Sequence, residues 1–180
     1  MAGSLAAGVK PKIILDSYGP AGFDVINVIK KVQDDETSKS GTLLMNGSIL
    51  AFPQSCFLWK IEDISEVTIL ALAPVILHRP KVEYLFLGSE TPMQLDGLLI
   101  MKKRLREFGI TFEQLDLVSW IKSRCTMLGV NKDSDTYSFY CQANTMGTFN
   151  ILNGEDRVVA AALIVPKEAV ESAVEKKPKA

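Results

Sequence analysis

The chain has 180 residues, 47% of them hydrophobic and 23% charged, the make-up of one globular domain able to bury about 70% of its unfolded surface without a staple. Its 20 basic and 21 acidic residues are mixed along most of the chain, so no basic face of the kind phosphate backbones require is built, and nucleic acid is not an expected direct partner. Cys56, Cys125 and Cys141 are odd in number, far apart and outside any CxxC or Cys/His pair, which argues against a disulfide framework and a zinc site and leaves buried or incidental thiols.

The longest apolar runs, such as Val67 to Leu77, are broken by Pro74 and fall short of the roughly 30 Å hydrocarbon layer, so no membrane-spanning segment is expected. The first twelve residues lack the apolar stretch of a secretory signal, and the first arginine is Arg79, so neither a secretory signal nor an Arg-rich presequence is visible. Residues 1–12 read as an N-terminal extension, 13–166 as a single α/β domain, and 167–180 as a charged tail.

In chain order, Ile13 to Tyr18 is an apolar run ended by Gly19-Pro20, and Phe23 to Ile29 alternates apolar with polar residues, which predicts two strands in a hairpin. Lys30 to Gly41 is polar and charged and reads as an exposed loop. Thr42 to Met45 and Ser48 to Phe52 flank Asn46-Gly47, the dipeptide that favours a type I′ turn, so a second hairpin is expected there. Cys56 to Ile61 after Pro53 reads as a further strand. Ser65 and Glu66 open a helical spacing through Val67, Ile69, Leu70, Leu72 and Ala73 that Pro74 ends or kinks.

Val82 to Gly88 is almost continuously apolar, as a strand covered on both faces is. Met93 to Phe108 places Leu95, Leu98, Leu99, Met101, Leu105 and Phe108 on one helical stripe, with Lys102, Lys103, Arg104 and Arg106 mostly solvated near the C-terminus and Gly109 as the stop. Ile110 to Leu117 is strand-like and completes a strand, helix, strand unit whose two strands should be parallel. Periodicity is lost over 118–142, which reads as an insertion. Asn144 or Thr145 then caps a short helix closed by Asn153-Gly154, and Arg157 to Val165 is a last buried strand.

Few of these residues suggest chemistry. The single histidine, His78, has no nucleophile or carboxylate motif around it, and no nucleotide cradle, hydrolase elbow or zinc-protease helix pattern occurs. Gly88 to Pro92 leaves a buried strand and enters a helix, where α/β proteins place ligands. Glu90 there adds negative charge and Pro92 lacks an amide donor, which favours plain helix capping. No catalytic, cofactor-binding or metal-ligating residue is assigned. Trp120, Tyr137, Phe139 and Tyr140, large side chains in the 118–142 insertion, are the candidate partner-binding residues.

The order of motifs resembles the mitochondrial complex I assembly factor three family from about Ile13 to Pro166. The resemblance is carried by Ile14-Leu15-Asp16-Ser17-Tyr18 with Gly22-Phe23, Asn46-Gly47-Ser48-Ile49-Leu50, Trp59, Asp63-Ile64 and Pro80 through Gly88. It continues through Phe108-Gly109-Ile110, Thr148 through Leu152 and Asp156 through Ile164. It implies a single three-layer α/β domain with a mixed sheet, a β-hairpin region and a strand, helix, strand core. It also implies a mitochondrial matrix location and a non-catalytic role in binding subunits of respiratory complex I, as assembly factor or retained accessory subunit. Where the family has a Gly-Thr-Gly turn this chain has Gly88-Ser89-Glu90-Thr91, so no small-molecule site is carried over there. The alternatives are a structural subunit of another large mitochondrial complex, such as ATP synthase or the mitoribosome, and a small-molecule-binding protein or enzyme using the Gly88 to Pro92 loop.

Overall fold

The structure is a computed structural model that describes residues 11–19, 22–30, 39–115 and 134–165, with the backbone alone at 29–30, 39–40 and 134–142. Strands β1 (Ile14–Gly19), β2 (Gly22–Lys30) and β3 (Lys39–Asn46) form an antiparallel sheet in that order. Strands β4 (Ile49–Phe52), β5 (Ser55–Leu58), β6 (Tyr84–Gly88), β7 (Thr111–Gln114) and β8 (Val159–Leu163) form a five-stranded mixed sheet ordered β5-β4-β8-β6-β7. A 3-10 turn spans Ile64–Glu66, and the helices are α1 (Ala73–Leu77), α2 (Leu95–Glu107) and α3 (Ser134–Gly154).

The inner strands β4, β8 and β6 are buried on both faces, which explains their nearly unbroken apolar sequences. Alternate side chains enter two separate cores. Leu50, Phe52, Leu85, Leu87, Phe112, Ala160 and Ala162 pack with Val75 of α1 and with Met101 and Leu105 of α2. Ile49, Ala51, Phe86, Val159, Ala161 and Leu163 pack with Met146 and Phe149 of α3 and with Leu15, Phe23, Val25 and Met45 of the smaller sheet. The fold is therefore mixed α/β in three layers: α1 and α2, the large sheet, then α3 with the three-stranded sheet.

The strand, helix, strand unit is as expected, with β6 and β7 parallel from Tyr84 opposite Thr111 to Leu87 opposite Gln114. Its helix stops as its glycine requires. Gly109 sits at φ +68, its N–H bonds Arg106 O at 2.8 Å, and Ile110 N–H bonds Leu105 O at 3.0 Å. These paired bonds close α2 in a left-handed cap and place buried Ile110 in the same core as Leu105.

Several local expectations are corrected. Asn46-Gly47 is no hairpin turn, because β3 pairs with β2 and β4 pairs with β5 and β8. Ile49 to Phe52 is buried throughout and suits a two-faced central sheet, whereas Thr42 and Leu44 are exposed and suit the covering one. Only Gly47 takes a positive φ there, so the dipeptide links two sheets. The hairpin turns one step later, at Pro53-Gln54, with Phe52 opposite Ser55. The loop expected over Lys30 to Gly41 is shorter, since Lys30 belongs to β2 and Lys39 to Gly41 to β3. Residues 31–38 lie outside the described ones.

Pro74 opens α1 and does not end a helix, because its missing N–H is one a first turn leaves unpaired anyway. The stripe on α2 is narrower than its sequence suggests. Met101 and Leu105 are buried, but Leu95, Leu99 and Phe108 are exposed by 68%, 55% and 44%. Asn144 and Thr145 lie inside α3, which begins at Ser134, so the latter part of the expected insertion is helix and 116–133 lies outside the described residues. The closure of α3 also lies beyond Asn153-Gly154. Asp156 takes φ 64, and Arg157 N–H reaches Leu152 O at 3.1 Å.

If α2 is seated in this way, Leu105→Ala is expected to lower stability by about 3 kcal/mol and Leu99→Ala by less than about 0.5 kcal/mol. Urea midpoints at unchanged slope measure both. Equal losses would mean that the leucines share one buried stripe.

Candidate functional site

The position at which an α/β protein holds a ligand, the loop from the C-terminal end of β6 into α2, is occupied by the chain's own polar groups. Ser89 is 5% exposed, and its hydroxyl donates to Thr91 O at 2.7 Å. Gln114, at the end of β7, spans the loop. Its Nε2 donates to Ser89 Oγ at 2.9 Å and to Thr91 O at 3.4 Å, and its Oε1 accepts Met93 N–H at 3.0 Å. Gly88 O accepts Ile164 N–H at 2.9 Å, and Met93 packs on the core beneath α2. The N-cap residue Gln94 makes no side-chain capping bond; Gln114 instead ties down the loop just before the helix through the Met93 amide. Gln114 leaves no local pattern in the sequence, because its partner Met93 is twenty-one positions away.

His78 and Cys56 are likewise committed to the fold. No cluster of three or more metal-ligating side chains occurs among the described residues. His78 lies flat on Phe52 with ring centroids 4.4 Å apart, and its Nδ1 is 2.8 Å from Pro80 O, so a protonated Nδ1 donates to that carbonyl. Burial pushes the Cys56 thiol up to about 12. It is therefore neutral at physiological pH and a poor nucleophile or metal ligand. Cys125 lies outside the described residues, as does the side chain of Cys141.

What the surface offers instead is apolar area. Of the candidate partner-binding residues, Trp120 lies outside the described residues. Tyr137, Phe139 and Tyr140 fall in α3, where the backbone alone is described. The described surface exposes another group. Phe57 and Leu58 of β5 are 55% and 61% exposed and Leu77 of α1 is 70% exposed. Phe57 meets the Phe52 ring edge-on at 5.9 Å and His78 stacks on the same ring, so Phe57 and His78 cover the buried Phe52 beside the sheet edge. Leu95, Leu99 and Ile100 expose a second apolar area on α2. The signal for the first was the run Phe57-Leu58-Trp59, three large apolar residues at the end of a strand that has no second bonded strand among the described residues.

No protein-family profile matches the chain, and no curated protein sequence matches it. Among solved structures, it is similar to the Rpa2829 protein of Rhodopseudomonas palustris, 21% identical, over 93% of this chain and 96% of that one with a TM-score of 0.53. A Mth938-like domain protein of Bordetella pertussis is 15% identical over 96% of this chain and 98% of that one, with a TM-score of 0.51. An outer membrane protein of Bartonella henselae is 17% identical over 88% of this chain and 98% of that one, with a TM-score of 0.50. These likenesses are of fold. No helix among the described residues is long and apolar enough to cross a membrane.

Gln114→Ala removes the partner of the Met93 amide and of the Ser89 hydroxyl together. It is expected to cost about 1–3 kcal/mol in stability and to raise amide exchange at Met93 specifically, measured by hydrogen exchange. Unchanged exchange at Met93 would mean that Gln114 does not hold the loop.

Proposed function

We propose that this chain is a non-catalytic, protein-binding component of mitochondrial respiratory complex I, located in the matrix, as an assembly factor or a retained accessory subunit. The host and location rest on the resemblance that runs in order from Ile13 to Pro166, and the fold likeness to a Mth938-like domain is compatible with them. The protein-binding role is supported by one observation above the others. Phe57 and Leu58, each more than half exposed, present large apolar side chains at one sheet edge, where association with another protein removes them from water. The non-catalytic role is supported by the Gly88 to Pro92 loop, whose groups are tied up by Ser89 and Gln114.

The test is mass spectrometry of native complexes recovered through a C-terminal tag and separated by size on a native gel. Comigration with complex I at near-equal stoichiometry is expected of a retained subunit, and presence only in smaller complex I subassemblies is expected of an assembly factor. Recovery with ATP synthase or ribosomal proteins, or as a free monomer, would overturn the host assignment.

A further inference from the structure

The two edges of the five-stranded sheet are built differently. At one, β7 carries Thr111, Glu113 and Gln114. Glu113 is ion-paired to Lys102 at 2.7 Å and Gln114 is committed to the loop above it. Polar and charged side chains of this kind discourage a further strand from adding. At the other edge, β5 carries Ser55, Cys56, Phe57 and Leu58, with no charge, proline or bulge within it.

The register of β5 fixes which of its backbone groups face outward. Ile49, Leu50, Ala51 and Phe52 stand opposite Leu58, Phe57, Cys56 and Ser55, and Trp59 N–H continues the ladder to Ser48 O at 2.7 Å. In an antiparallel pair, bonded and non-bonded residue pairs alternate. The bond at Trp59 therefore makes Phe57 and Ser55 the bonded residues and turns the N–H and C=O of Cys56 and Leu58 away from β4. Those four groups meet no hydrogen-bond partner among the described residues. The same strand shows Phe57 on the α1 and α2 side, beside Phe52 and His78, and Leu58 on the opposite side, next to Gly47. An outward row of donors and acceptors flanked by apolar side chains on both faces is what an added strand satisfies.

We infer that the outer edge of β5 is a strand-addition site that takes a short, extended, apolar segment of a partner protein. This deepens the protein-binding reading above and rests on it. The added segment bonds Cys56 and Leu58 through its backbone and packs successive apolar side chains on Phe57 and Leu58. Lys60, exposed just beyond the strand and without an ion pair among the described residues, favours an acidic residue after the apolar run. A second copy of the chain fits less well. Two β5 strands of four residues would share only about 13 Å of ladder, a contact too short by itself to bury the roughly 800 Å² per partner of a stable dimer.

The probe is the capped peptide acetyl-Val-Ile-Thr-Val-Ile-Glu-amide, titrated by NMR into the isotope-labelled full chain. Amide shifts are expected at Cys56 and Leu58 and along β5. Affinity should fall on the order of tenfold when alternate peptide amides are N-methylated, because backbone bonds are then lost while side chains remain. Leu58→Pro should weaken binding similarly, since its N–H is the outward one and the ladder to β4 survives. Should that variant not fold, the N-methylated peptide carries the same comparison on the native chain. Absence of shifts at β5, shifts indifferent to N-methylation, or shifts at β7 would overturn the proposal. Concentration-dependent β5 shifts without peptide would overturn it in favour of a second copy. The titration contains nothing mitochondrial, so peptide binding with no recovery of complex I would leave the edge standing and remove only the host.

Discussion

The placement of β8 between β4 and β6 is the constraint on which the rest of the molecule depends. It pairs antiparallel with β4 and parallel with β6, and each of its five residues is fully buried. A strand with neighbours on both edges and cores on both faces has no contact with water, so it must be apolar throughout and its backbone must be bonded throughout. Ala160, Ala161 and Ala162 meet that condition with little volume. They divide the molecule into one core under α1 and α2 and another under α3 and the smaller sheet.

The second core is fastened by polar contacts at its rim. Asn150 of α3 accepts Leu15 N–H at 2.9 Å and donates to Leu15 O at 2.8 Å, matching the backbone of β1 as a neighbouring strand would. One turn on, Asn153 donates to Ile13 O at 3.1 Å and Pro53 O at 3.3 Å. Lys12 reaches Asp156 just past the helix end at 2.5 Å. These bonds join β1, the β4–β5 turn and α3, three elements far apart in sequence. They set where the covering sheet sits, and among the described residues β5 is the outermost strand of the large one.

The element types were largely legible in the sequence, and their partners were less so. Nearly continuous apolar runs within Val82 to Gly88 and Arg157 to Val165 announced two-faced strands, and Gly109 announced the end of α2, because burial on both faces and a left-handed cap each demand particular residue types. Asn46-Gly47 misled because the dipeptide reports that the chain can turn and not which strands then pair. Pairing was decided by how many faces each strand buries. The stripe on α2 is narrower than its helical spacing suggests, because Met101 and Leu105 are buried in the core while Leu95 and Leu99 remain exposed. Gln114 and the Asn150 and Asn153 contacts were illegible, since each acts across a long sequence separation. Of the candidate surface, the aromatics of 118–142 attracted attention by size, whereas Phe57 and Leu58 look like ordinary strand residues until their strand is found at an edge.

A closed sheet interior with an apolar outer strand is the feature of the fold on which the proposed binding role rests. The same strand order that buries β8 completely leaves β5 outermost, and nothing in its side chains turns a further strand away. Amide hydrogen exchange of the free chain, resolved residue by residue, tests this most directly. The amides of β6 and β8 are expected to exchange only with global unfolding, while those of Cys56 and Leu58 exchange orders of magnitude faster than their neighbour Phe57. Slow exchange at Cys56 and Leu58 in a dilute monomer would mean that the edge is already covered, and would contradict the account.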